Sequence, residues 1–136
     1  MRKIRKIIVH CTATPEGRDV NVEEIDRWHR QRGFRCVGYH YVVGLDGTVR
    51  EGRSVQEVGA HCLGQNTDSI GVAYVGGLAA DGKTPADTRT CGQKAALREL
   101  VGRLKKDYPG VTVHSHYEFA AKACPCFDAA KEYGCL

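Results

Sequence analysis

The feature that most constrains the fold of this chain is the run Lys6-Ile7-Ile8-Val9-His10-Cys11. Its middle is aliphatic and β-branched with no polar face, so a strand built from it has to be covered on both sides. Such a strand belongs near the middle of a sheet, with other elements packed above and below. His10, close to its end, is the first polar residue after the apolar run.

The rest of the chain supplies the covering elements. Asn21 with Glu24 three residues on resembles a capping box, and Val22, Ile25, Trp28 and His29 fall at helical spacing, which predicts a helix from Val22 to Gln31 stopped by Gly33. Tyr39 to Gly44 and Thr48 to Glu51 flank Leu45-Asp46-Gly47, an Asp-Gly hairpin signal. Ser69 to Val75 reads as a strand closed by Gly76-Gly77. Thr90 with Gln93 forms a second capping box, and Leu97, Leu100, Val101 and Leu104 trace one face of a long helix ending near Tyr108-Pro109-Gly110. Val111 to His116 is a final strand. Helix crossovers permit parallel neighbours and the hairpin is antiparallel, so the expected fold is α/β: a central mixed β-sheet with flanking helices. With 136 residues and no linker or repeat, residues 1–136 are expected to form a single domain.

Composition narrows the partners. The chain is 42% hydrophobic and 26% charged, as in folded globular proteins, and its 20 basic against 16 acidic residues give a mild +4 that favours an anionic partner. The basic opening Met1-Arg2-Lys3-Ile4-Arg5-Lys6 leads into an apolar run that is too short for a signal peptide or a membrane span. Cytoplasmic synthesis without membrane insertion is therefore expected. There are seven cysteines, an odd number, and no export signal precedes them, which favours reduced thiols or a metal site over a disulfide framework.

Three residues could form a zinc site: His10, His116 and Cys124, the last just before Pro125. Two imidazoles and a thiolate leave a fourth position open, the pattern of catalytic rather than structural zinc. Spacing alone leaves a second reading open, in which the histidines are polar strand-end residues and the cysteine is a small buried hydrophobe. Strand alternation also cannot separate His114 from His116, because residues two apart share a face. A nucleic-acid-binding role is disfavoured, since there is neither a Cys-x-x-Cys pair nor a basic stripe interleaved with aromatics.

Six segments occur in a diagnostic order: Val9-His10-Cys11-Thr12-Ala13-Thr14, Gly38-Tyr39-His40-Tyr41, Asp46-Gly47-Thr48-Val49, Val58-Gly59-Ala60-His61, Asn66-Thr67-Asp68-Ser69-Ile70-Gly71-Val72 and Lys122-Ala123-Cys124-Pro125. The chain thereby resembles the type 2 N-acetylmuramoyl-L-alanine amidases, which include compact phage lysozymes that are chemically amidases and the peptidoglycan recognition proteins of animals. The resemblance implies a zinc-dependent amidase that cuts bacterial peptidoglycan between the muramic acid lactyl group and L-alanine. It implies His10, His116 and Cys124 as Zn2+ ligands, the family's eight-residue spacing selecting His116 over His114. Tyr39 and Lys122 correspond to the family's catalytic tyrosine and lysine.

Further expectations attach to the cleft. His61 matches a family histidine lining it, and Asn66 and Thr12 are the other expected substrate-binding residues. His40 is expected to be a core or strand histidine, Trp28 to be core, and His29 to lie on the helix surface. Gln65 stands where many relatives carry an aromatic residue, Tyr117 where recognition relatives often carry arginine, and Cys126 is expected to be a bystander. The chain is further expected to be a monomer with no nucleic-acid partner, made in the cytoplasm, and the resemblance implies that it acts on the cell wall after release or delivery, in the manner of a phage endolysin. The alternative is a peptidoglycan-binding module that does not cleave.

Overall fold

The computed structural model describes residues 2–136, so Met1, the first residue of the basic opening segment, lies outside the described residues. In chain order the elements are β1 (Lys6–Cys11), β2 (Thr14–Pro15), α1 (Val22–Gln31), β3 (Tyr41–Val43), β4 (Val49–Glu51), β5 (Ser69–Tyr74), β6 (Gly77–Leu78), α2 (Cys91–Asp107), β7 (Thr112–Ser115) and α3 (Ala129–Tyr133). Single 3-10 turns span Asn66–Asp68 and His116–Glu118.

β1 has the covered position that its apolar run demands. The main sheet has the order β4-β3-β5-β1-β7, so β1 is hydrogen-bonded on both edges. It runs parallel to β5 with His10 opposite Ala73, and parallel to β7 with Lys6 opposite Thr112. β3 is parallel to β5 and antiparallel to β4, which makes the sheet mixed as predicted.

Alternation along β1 divides its side chains between two faces. Ile7, Val9 and Cys11 join Ile70, Val72 and Tyr74 of β5 in a core closed by Leu97, Leu100, Val101 and Leu104 of α2 and by Ala129 and Tyr133 of α3. Each fully buried leucine there contributes about 2 kcal/mol of burial free energy. On the other face a smaller cluster of Val20, Ile25, Val37, Val42 and Val75 lies under α1. Trp28 packs against this cluster, as the helical spacing predicts.

Local signals explain the helix ends. Asn21 Oδ1 accepts the Glu24 N–H at 2.8 Å, and Thr90 and Gln93 form a reciprocal capping box. Gln93 is fully buried, and its amide donates to the carbonyls of Val43 and Val75, tying α2 to the ends of β3 and β5. Gly77 is required by a close approach: its φ is +102°, and a Cβ there would lie 2.4 Å from Cys11 Sγ.

Three features depart from expectation. β3 begins at Tyr41, so Tyr39 lies in the approach to the strand, although His40 already donates its N–H to Gly71 O at 2.9 Å. β7 ends at Ser115, and the 3-10 turn takes His116 out of the strand. The short helix α3 and the β2–β6 pair carry no periodicity legible in the sequence, being five residues and two plus two residues long.

Candidate metal centre and cleft

The C-terminal ends of β1 and β7 bring the candidate ligands together. His10 leaves β1 on the face away from α2 and is 1% exposed. Because the 3-10 turn breaks strand alternation, His116 turns toward His10 while His114 does not. Their Nδ1 atoms are 3.1 Å apart. Cys124 completes the group: the donor atoms of His10, His116 and Cys124 all lie within 4.8 Å of one another.

Backbone contacts fix the cysteine. The Tyr117 N–H donates to Cys124 O at 2.9 Å, and the Cys11 N–H donates to Cys124 Sγ at 3.1 Å. Hydrogen bonding from Cys11 lowers the Cys124 thiol below its ordinary value, against the opposing effect of burial. Burial drives the His10 imidazole well below its ordinary range, with His61, His116 and Lys122 acting in the same direction. His116 is lowered by burial and then by Lys122. Burial thus holds both imidazoles toward the neutral form and the Cys11 hydrogen bond biases the Cys124 thiol toward the thiolate, each a shift toward the protonation state that ligates a metal ion.

A cleft of about 590 Å³ opens beside this group. Its lining includes His10, His116, Tyr39, His61, Asn66 and Lys122, so both expected catalytic residues face the candidate ligands. The Tyr39 ring is 5.2 Å from the His10 ring, and burial raises its phenol pKa, so the hydroxyl remains a proton-bearing donor. Arg32 and Phe34, which the sequence did not single out, line the same cleft.

Some of the remaining residues lie where the sequence placed them and others do not. His29 is not a surface residue: it is 6% exposed, and its Nδ1 accepts the Gly38 N–H at 2.8 Å, anchoring α1 to the segment that leads into Tyr39. His114 points away from the donor group and contacts Thr112 and Glu118. Thr12 does not line the cleft; its hydroxyl accepts the Gly76 N–H and contacts Thr14. Asn66 lines the cleft, yet its Oδ1 accepts the N–H groups of both His61 and Cys62 at 2.9 Å. His61 is buried and contacts His10 directly. His40 is a core histidine, as expected: its Nδ1 accepts the Gly71 N–H at 3.0 Å and its Nε2 reaches Glu57 O at 2.8 Å. Cys126 Sγ turns toward Gly77 O, away from the donor group.

The model of the N-acetylmuramoyl-L-alanine amidase family matches residues 1–127. The chain belongs to this family. Its relatives include the endolysin of Klebsiella phage KP32, 46% identical over 90% of this chain and 81% of that protein, and the endolysin of Escherichia phage T7, 45% identical over 90% and 80%. Among solved structures, the N-acetylmuramoyl-L-alanine amidase LysC from Clostridium intestinale URNW superposes with a TM-score of 0.80 at 27% identity, covering 96% of this chain and 82% of LysC. The family fold is thus the one described above. Among the described residues, no helix is long and apolar enough to cross a membrane.

Proposed function

We propose that residues 1–136 form one zinc amidase domain that hydrolyses the amide between the lactyl group of muramic acid and L-alanine in bacterial peptidoglycan. The observation that carries this reading is the convergence of His10, His116 and Cys124 on one point in a cleft that also presents Tyr39 and Lys122. Membership of the amidase family and the similarity to phage endolysins supply the substrate class.

The donor set fits zinc. Two imidazole ligands of a tetrahedral zinc ion, each bonded at about 2.0 Å, stand about 3.3 Å apart; the two Nδ1 atoms here are 3.1 Å apart. When bound, zinc supplies a Lewis acid that polarises the amide carbonyl and lowers the pKa of water.

The chain's own groups do the rest. Lys122 lines the cleft and presents a cation to the oxyanion that develops on the carbonyl as the amide is attacked. The Tyr39 hydroxyl, kept protonated by burial, donates a hydrogen bond to the reacting group and orients it. A Cys124 thiolate would lower the positive charge of a bound metal, so a second cation beside the oxyanion is chemically sensible. His61 and Asn66 shape the wall where glycan and stem peptide would lie. The enzyme would act on the cell wall after release or delivery, as an endolysin does.

Mass spectrometry of the soluble material released from bacterial sacculi tests this. Free stem peptides beginning at L-alanine, lost on chelation and restored by zinc, are the expected products. Intact sacculi carrying bound protein would make the chain a non-cleaving binding module, and new reducing sugar ends would mean that a different bond is cut.

A further inference from the structure

His61 lines the cleft, yet it is only 8% exposed and both its ring nitrogens have partners inside the protein. Its Nδ1 lies 2.8 Å from His10 Nε2, and its Nε2 lies 3.1 Å from the hydroxyl of fully buried Ser69. His10 thus has one nitrogen toward the donor group and the other toward His61.

Proton counting along this line allows one arrangement in which His10 is a ligand. If Nδ1 of His10 offers its lone pair, the ring proton is on Nε2, and that N–H donates to His61 Nδ1. His61 then carries its own proton on Nε2 and donates it to Ser69 Oγ. In the reverse arrangement His61 Nδ1 donates to His10 Nε2, and the His10 proton is on Nδ1, pointed at the place a metal would occupy. The identity and tautomer of the group beyond His10 therefore decide whether His10 can ligate.

The backbone is shaped to hold this ring. β5 carries glycine at position 71, where a Cβ would lie 2.5 Å from His61 Cγ, and a Cβ on Gly59 would lie 2.7 Å from His61 Cδ2. Asn66 pins the His61 and Cys62 amides from the other side. A glycine in the interior of a buried strand weakens it, so its presence where the ring lies flat points to a close approach that the site requires.

We infer that His61 is a positioning residue that accepts the His10 Nε2 proton and, backed by Ser69, holds His10 in the tautomer whose Nδ1 faces the metal. The inference rests on the zinc reading above. Outer partners of ligating histidines are worth 10- to 100-fold in metal affinity, roughly, where they have been removed.

The test is zinc affinity, measured on the full chain by competition with a chromophoric chelator, with no turnover involved. His61→Leu removes the acceptor and is expected to weaken zinc binding by roughly 10- to 100-fold. His61→Asn sets an amide oxygen near the Nδ1 position and is expected to restore most of the affinity. Ser69→Ala is expected to weaken binding by roughly threefold or more, since the outermost hydrogen bond goes with it. Wild-type affinity in His61→Leu overturns the inference, and so does an equal loss in the Leu and Asn variants, which would mean that the residue only fills space. Should His61→Leu fail to fold, Ser69→Ala decides: unchanged affinity overturns the inference. A wild-type chain that binds no zinc, by contrast, removes the metal reading itself.

Discussion

Acid should destabilise this protein before its carboxylates titrate. His29 and His40 are each lowered to about 4 by burial, against an ordinary value near 6.5. Both accept a backbone N–H through Nδ1, from Gly38 and Gly71 respectively. The folded state therefore binds fewer protons than the unfolded chain between these values. Each ring's contribution is fully present above about pH 6.5 and is lost as the pH falls through the folded value near 4. On moving from about pH 7.5 to about pH 5.5, linkage assigns each histidine about 1.4 kcal/mol, and the pair about 3 kcal/mol. His10 and His61, lowered by burial in the same direction, add to this. Against a total stability of order 5–15 kcal/mol the loss is large. Urea unfolding followed by circular dichroism, with a chelator present at both pH values so that metal release does not contribute, should show the midpoint falling by about 1.5 M at a slope of about 2 kcal/mol per M. His40→Asn, which keeps an acceptor for the Gly71 N–H and cannot titrate, should recover about 1.4 kcal/mol of the acid loss. A midpoint that does not move, or an equal acid loss in His40→Asn, would refute the assignment of these rings as buried neutral acceptors.

Three further expectations concern activity and packing. Lys122→Ala should lower the rate of sacculus cleavage by about 100-fold while leaving zinc content unchanged, as measured by turbidity assay and elemental analysis, because an oxyanion partner is lost and no ligand is. Leu100→Ala should cost about 3 kcal/mol by urea unfolding, since the side chain is 2% exposed between α2 and the sheet and leaves a cavity. Arg89→Ala should cost about 2 kcal/mol and speed proteolysis of the C-terminal segment. The Arg89 guanidinium stacks 3.4 Å over Phe127, pairs with Asp87 and Glu132, and donates to the Tyr133 hydroxyl.

Much of the fold was legible because its main elements announce themselves locally. β1 has an uninterrupted apolar run, and α1 and α2 have caps three residues from their partners, so each element carries its own boundaries. The site was less legible. His116 could be told from His114 only by resemblance, because the structural reason is the 3-10 turn after Ser115, which no periodicity encodes. His29 reads as surface on a polar helix end, but its burial depends on Gly38 arriving from elsewhere in the chain. His61 sits in a loop and so reads as a substrate contact; its bond to His10 spans 51 positions and is visible only once β1 and β5 are paired. Thr12 shares the face of His10 by alternation, yet the chain turns at Ala13, with φ +56°, and the threonine hydroxyl is taken up by Gly76.

The pairing of β1 with β7 has a consequence for synthesis. β1 leaves the ribosome before every other strand of its sheet, whereas Thr112, the partner of Lys6, belongs to the last of them. Until then the edge of β1 that β7 will cover is open, a short apolar template of the kind on which neighbouring nascent chains aggregate. The same order of synthesis keeps His116 and Cys124 from meeting His10 until β7 has been made. Conditions that slow the docking of β7, such as low temperature or high expression, should divert the chain into inclusion bodies, and a holdase that masks apolar edges should recover it.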